Sequence, residues 1–421
     1  MQANFTCGSP DRPRLNEPPQ FISYSKGMPR RRGTPELMRG LNRSIVISAI
    51  REHGAASRAD LVRFTSISPA SVSAIVSDLI EEGLVCEEGT ASSDLGRPGR
   101  LVRFADDVLV LGCDLASAEG FRVGLMRLSG ELVDCRMLAV PGQAPSTERV
   151  ASLLADYVGE ATSRSVPIRV VGVGVGVPGV VNPATGHVQI APLLDWADTE
   201  FGELLKNQLH MPIYVDNDVA FALAAEVDRG AATKARDAIL VTFAEGVGGA
   251  VLLDGRIYRG RGAAGELGYM VTDVSRSRGD LHGVGTLEDK LFDLVAEDAR
   301  RDGIDTSLCA EQTARLIHQI VRSRGGFRLS EDIADELVRT IAAALACSIA
   351  LLDPEVVLLS GWIESGGQET LDRVVGDVSR LVPSMPEMQF SSLGDDRVVI
   401  GAALAALRGT LADVQVVEAA I

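Results

Sequence analysis

Aromatic side chains are scarce, at 4% of the 421 residues. The core must therefore be built from Val, Leu, Ile and Ala, in keeping with a hydrophobic fraction of 46% and a mean hydropathy of +0.15. No apolar run approaches the roughly 20 residues that cross a bilayer, so a membrane is not an expected partner. The first residues, MQANFTCGSPDRPR, lack the apolar stretch of a secretory leader. The six cysteines, Cys7, Cys86, Cys113, Cys135, Cys309 and Cys347, include no CxxC pair. That spacing argues against a disulfide framework or a zinc ribbon and places the chain in a reducing cytoplasm.

A cationic surplus is also missing. The net charge of −16 excludes a protein that coats nucleic acid over its whole surface. The charge is uneven, however. Residues 1–105 hold 14 Lys and Arg against 11 Asp and Glu, which leaves −19 on the remainder. A slightly basic head on an acidic body suits DNA contact confined to one end. Residues 1–36, with PRRRG at 29–33, show no apolar periodicity and read as a disordered basic arm. Arg30, Arg31 and Arg32 suit either a solvated tail or a phosphate-contacting arm.

Residues 37–105 are well punctuated. In LMRGLNRSIVISAIREHG, Leu37, Leu41, Ile45 and Ala49, with Met38 and Ile50 beside them, form a helical stripe that stops at Gly54. Ser57 can cap a helix over 58–64, and 65–67 make a turn. Ser68 then caps a second helix with Pro69 at its first position, where a missing N–H is tolerated. Val72, Ile75, Val76 and Leu79 bury one side of it, and Gly83 ends it. This is a helix-turn-helix. Ser68, Ser71, Ser73 and Ser77 are its candidate DNA contacts, because small hydroxyl residues let a helix lie close in the major groove. LVCEEGTASSDLGRPGRLVRF follows as strand, tip and strand, a wing. Its tip, Gly96-Arg97-Pro98-Gly99-Arg100, can slide Arg97 into a narrow minor groove, with Arg100 beside it, or form a plain β-turn.

From 107 onward, strands and helices recur in a doubled order: three strands, a helix, a glycine-rich strand, a strand entering a helix, then a similar series. Two α/β lobes facing a cleft are expected, at about 107–230 and 237–400, with a helix at 401–411 returning to the first lobe.

The stretches LGCDLAS, VGVGVPGVVNPATGHV, PIYVDNDVAFALAAE, LVTFAEGVGGAVLLDGRIYRGRGAAGELGYM, LDPEVVLLSG and VIGAALAAL resemble, in order and spacing, those of the ROK family of repressors and sugar kinases. The resemblance spans about 38–410. It implies an α/β fold with an N-terminal winged helix-turn-helix on a two-lobed, actin-like (sugar kinase-like) body.

It also implies a site. Asp218, after Asn217, matches the aspartate that removes a proton from the sugar hydroxyl. A simple cap of a helix at 219–226 is the other role open to Asp218. Glu266 matches the glutamate of a GExGH segment, here ending in Tyr269 instead of histidine, and Glu288 matches a further sugar-binding glutamate. The family's zinc site needs that histidine and three cysteines. The corresponding stretch, GDLHGVGT at 279–286, has no cysteine and one histidine, His282, so no metal is expected.

The nucleotide elements depart from the family pattern. Asp114 is kept, but Ala116 stands at a glycine place, with Leu115 and Ser117 around it. Ala244 and Glu245 occupy the next glycine loop, and Trp362 follows Ser360-Gly361 where adenosine would enter. A carboxylate about 4 Å from a phosphate oxygen costs roughly 4 kcal/mol at an effective dielectric of 20. No nucleotide cofactor and no kinase activity are expected. The resemblance implies a DNA-binding regulator, a repressor of carbohydrate metabolism. It would sense a sugar or sugar derivative through Asn217, Asp218, Glu266, Tyr269 and Glu288, and bind operator DNA as a homodimer or homotetramer. An active ATP-dependent sugar kinase with a DNA-binding head, and a regulator with no small-molecule ligand, are the alternatives.

Overall fold

The computed structural model describes residues 35–90, 100–117, 120–139, 145–163, 168–276, 284–301 and 329–411. The arm at 1–34, the wing tip with Arg97, and His282 lie outside these residues.

The head begins with α1 (Pro35–His53), which stops at Gly54 with φ of +73°. A two-residue strand β1 (Ala56–Ser57) leads into α2 (Arg58–Thr65), where Ser57 and Asp60 form a reciprocal capping box. Ser66 turns the chain in the left-handed region, and Ser68 caps α3 (Pro69–Glu81) by accepting from the Ser71 N–H. Strands β2 (Val85–Thr90) and β3 (Arg100–Phe104) form the wing, and β1 completes the sheet in the order β1-β3-β2.

One expected feature of α1 differs. Ala49 and Ile50 are buried with Val46 and Ile47, whereas Met38, Leu41 and Ile45 are exposed. The helix carries two apolar stripes, and packing against α2 and α3 selects the one at 46, 49 and 50.

The body opens with β4 (Val108–Ser117), β5 (Gly120–Arg127) and β6 (Leu132–Ala139), an antiparallel meander. After α4 (Thr147–Thr162), β7 (Arg169–Val177) runs parallel to β4. A small antiparallel sheet then forms from β8 (Val180–Asn182), β9 (His187–Ala191) and β10 (Trp196–Thr199), followed by α5 (Phe201–Leu209). Strand β11 (Ile213–Asn217) pairs parallel to β7 and enters α6 (Asp218–Arg229). The first-lobe sheet reads β11-β7-β4-β5-β6.

The second lobe repeats this plan. Strands β12 (Ala238–Phe243), β13 (Val247–Leu253) and β14 (Arg256–Tyr258) form the meander. Helices α7 (Leu287–Arg301) and α8 (Glu331–Leu352) precede the parallel strand β15 (Val356–Gly361). Helix α9 (Gly367–Val378) leads to β16 (Glu387–Phe390), and α10 (Arg397–Leu411) closes the described chain. The order is β14-β13-β12-β15-β16.

Helix α10 returns to the first lobe and lies flat on β4 and β7. A Cβ at Gly112 would collide with the Val399 carbonyl, and one at Gly174 with the Ala402 carbonyl. On its other side, Gly401 meets the Phe221 carbonyl of α6 at a distance that no side chain fits. The head shares this core: Val46, Leu61, Val72 and Leu79 form one cluster with Val110, Met126, Leu404 and Leu407. Arg169 adds polar ties, donating to the carbonyls of Glu82 and Gly83, and Arg43 donates to the Leu411 carbonyl.

These contacts predict opposite outcomes for two glycine substitutions. Gly401→Ala forces α6 and α10 apart and should lower stability by about 1–3 kcal/mol in chemical denaturation. Gly159→Ala, inside α4 with nothing near the added methyl, should raise it by about 0.5–1 kcal/mol.

Candidate functional site

Because β11 is parallel to β7, its carboxyl end opens beside the glycine-rich end of that strand, a common place for a ligand in α/β sheets. Asn217 ends β11 and caps α6: its Oδ1 accepts from the Ala220 N–H at 2.9 Å, while its Nδ2 donates to the Gly179 carbonyl at 3.1 Å. The cap role left open for Asp218 thus falls to its neighbour. Asp218 takes the first helical position and is buried. Burial pushes its carboxyl well above the usual range, and the charges of Asp114 and Glu266 push the same way. The Val219 N–H pulls it back.

Asp114, at the end of β4, accepts from the Ala116 N–H at 2.9 Å. Burial raises it to about 6, with Arg397 and Arg122 opposing. Glu266 precedes a short 3-10 turn, Leu267–Tyr269, and is raised by burial and then by Glu288. Glu288 lies in the first turn of α7 and accepts the Val247 N–H at 2.7 Å, which ties it to the glycine loop before β13. Burial raises Glu288 in spite of that bond. Tyr269 is half-exposed, and its hydroxyl is raised by burial and by the charges of Glu266 and Glu288. Asp218, Glu266, Glu288 and Tyr269 therefore share one field. Three carboxyl groups and a phenol so placed offer oxygen acceptors and a hydroxyl donor to a polyhydroxylated ligand.

An ion pair at this site was not foreseen. Arg259, just after β14, donates Nε to Asp216 Oδ2 at 2.7 Å. This joins the second lobe to the strand that carries Asn217. Burial raises the Asp216 carboxyl, and the Arg259 guanidinium draws it back. Sequence spacing gives no sign of such a pair, because 43 residues separate the partners.

In the glycine loop, Glu245 is buried within the turn between β12 and β13, where the Ala244 N–H bonds to the Gly246 carbonyl at 2.9 Å. Trp362 packs in the second-lobe core, its ring 5.4 Å from that of Phe243.

In the head, the four candidate serines divide. Ser68 and Ser71 bond to each other at 2.8 Å at the start of α3. Ser73 and Ser77 are exposed, and their Oγ atoms accept from Arg58 Nη1 at 3.0 and 3.3 Å. Arg100 reaches Glu87 at 3.4 Å. Arg58 was not among the sequence candidates. Its place directly after the Ser57 cap is the only trace of it in the sequence.

A model of the ROK family matches residues 112–408. The chain belongs to the ROK family. A relative named putative xylose repressor, from Caldicellulosiruptor sp. (strain Rt8B.4), is 27% identical over 361 residues, covering 82% of this chain and 89% of its own. Among solved structures, a ROK family transcriptional regulator described as a homolog of the E. coli MLC protein superposes with a TM-score of 0.70. It is 24% identical and covers 91% of this chain and all of its own. A ROK family glucokinase from Streptomyces griseus, solved with glucose and AMPPNP, gives a TM-score of 0.58 at 23% identity, covering 72% of this chain and all of its own. The fold is therefore the two-lobed actin-like ROK body. The wider cover of the regulator extends the likeness toward the winged helix-turn-helix.

The raised carboxyl of Asp114 has a pH consequence. A folded-state value of about 6 against an ordinary 3.8 means that the native state binds the proton more tightly. The group's effect on stability thus turns unfavourable as pH rises through that window. Asp114→Asn should stabilise the ROK body by up to about 3 kcal/mol at pH 7.5 and by little near pH 4. Urea denaturation across that range checks this, and a gain independent of pH would refute the assignment.

Proposed function

We propose that this ROK protein is a sugar-responsive transcriptional repressor without kinase activity. In this reading, residues 37–105 bind operator DNA through α3 and the wing, with Ser68, Ser71, Ser73, Ser77, Arg97 and Arg100 at the interface. The body at 107–421 is the sensor. Its effector is a sugar or sugar derivative, held by Asp218, Glu266, Glu288 and Tyr269, with Asn217 positioning Asp218 through the cap of α6.

The observation that carries the reading is one chain in which a winged helix-turn-helix shares its core with the first lobe of a body whose buried carboxylates Asp218, Glu266 and Glu288 stand in one connected electrostatic field. The names of the relatives support it. So does the buried Glu245 in the glycine loop, since a carboxylate there repels a triphosphate tail. A ligand that binds one lobe arrangement better than the other shifts the head only by that difference in affinity. Two heads on two half-sites would make the working unit a homodimer or a homotetramer.

Two measurements test this. A thermal-shift screen of hexoses, pentoses, amino sugars and sugar phosphates should yield at least one stabilising ligand. About 2.7 kcal/mol is available at a hundred times Kd, and Asp218→Ala should abolish the shift. No stabilisation by any of them would remove the effector. Incubation with ATP and the same sugars should release no ADP. ADP that depends on Asp218 would establish a kinase instead.

A further inference from the structure

The head meets DNA with arginine alone: residues 35–105 contain no lysine. Each described arginine of that segment is paired with a carboxylate: Arg39 with Asp78, Arg43 with Glu82, Arg51 with Asp228, Arg58 and Arg100 with Glu87, Arg63 with Asp60, and Arg103 with Glu88. Glu87 holds two of them, one on each oxygen. Arg58 Nη2 lies 3.0 Å from its Oε1, with Nε at 3.3 Å, and Arg100 Nη1 lies 3.4 Å from its Oε2.

The placement gives this cluster its meaning. Arg58 opens α2, Glu87 is on the outgoing wing strand, and Arg100 starts the returning one. The third nitrogen of Arg58, Nη1, bonds to the carbonyl of Ser73 at 2.9 Å and to the hydroxyls of Ser73 and Ser77. The guanidinium therefore spans the space between the exposed face of α3 and the wing, where a DNA backbone would run if helix and wing enter adjacent grooves. Its Nε–Nη2 edge, the fork suited to two oxygens of a phosphate, is turned to Glu87. Arg58 and Arg100 remain 32% and 73% exposed along their side chains, so a duplex can reach both.

Resting on the DNA-binding reading above, we propose that Glu87 occupies the place of a DNA phosphate, and that Arg58 and Arg100 pass from it to the duplex backbone on binding. Arg58 is then a contact residue of the interface. Its serine bonds hold the fork in position before DNA arrives, and Glu87 is a built-in competitor that weakens sequence-independent binding. Phosphate contacts carry no sequence information of their own. The arrangement thus lowers the background on which base reading by α3 must stand out.

The test uses the full chain and a fluorescein-labelled 30-base-pair duplex of mixed sequence, titrated by anisotropy at several salt concentrations. Wild-type binding that weakens with salt is required by the functional reading, and no binding at all would overturn that reading and this inference together. Given wild-type binding, Arg58→Ala should weaken it several-fold and reduce the slope of log K against log salt by about 1. Glu87→Gln should tighten it several-fold, and the gain should shrink in the Arg58→Ala background. Thermal melting of each variant separates loss of contact from loss of fold. Should Arg58→Ala melt early, Arg58→Lys replaces it, keeping the charge and losing the fork: weaker binding at an unchanged slope is expected. Folded Arg58 variants that bind like wild type, or a folded Glu87→Gln protein that binds no more tightly, would overturn the handover while leaving DNA binding intact.

Discussion

The contact between α6 and α10 is the constraint on which the molecule depends. Gly401 lets one helix touch the backbone of the other, and Gly112 and Gly174 let α10 lie on β4 and β7 without intervening side chains. Such close approach leaves little room for sliding, because packed interiors respond to added volume with strain. The first turn of α6 carries the buried Asp218. Near its last turn, Asp228 meets Arg408 of α10 and Arg51 of the head. The end of α10 in turn accepts from Arg43 on α1.

Electrostatic tension in the cleft follows from that frame. Asp114, Asp218, Glu266 and Glu288 are each raised first by loss of water, and the charges of neighbouring acids add to the effect at Asp218 and Glu266. Backbone N–H groups from Ala116, Val219 and Val247 offset part of this. A site left in this condition disfavours further negative charge. It is in keeping with a body of strongly negative net charge that leaves DNA contact to its head.

The head shows the opposite economy. Among the described residues, each of its arginines is paired with a carboxylate, so those side chains present ion pairs instead of bare charge. Exposed pairs of this kind contribute little to stability. Their larger effect lies in where they hold each guanidinium.

The sequence by itself determined the helix-turn-helix, the doubled α/β plan of the body, and the caps at Ser57 and Ser68. Those rest on local rules: period, capping chemistry, glycine placement and motif order. What only the tertiary structure decided depends on partners far apart in the chain. Packing against α2 and α3 selected Val46, Ala49 and Ile50 of α1 and left Met38, Leu41 and Ile45 outside. The small sheet β8–β10 and the pairing of Arg259 with Asp216 gave no periodic signal. Asn217, one residue before the expected cap, took the start of α6. Ser73 and Ser77 proved to be acceptors for Arg58, because a helix face reads the same in sequence whether solvent or an arginine from another element lies over it.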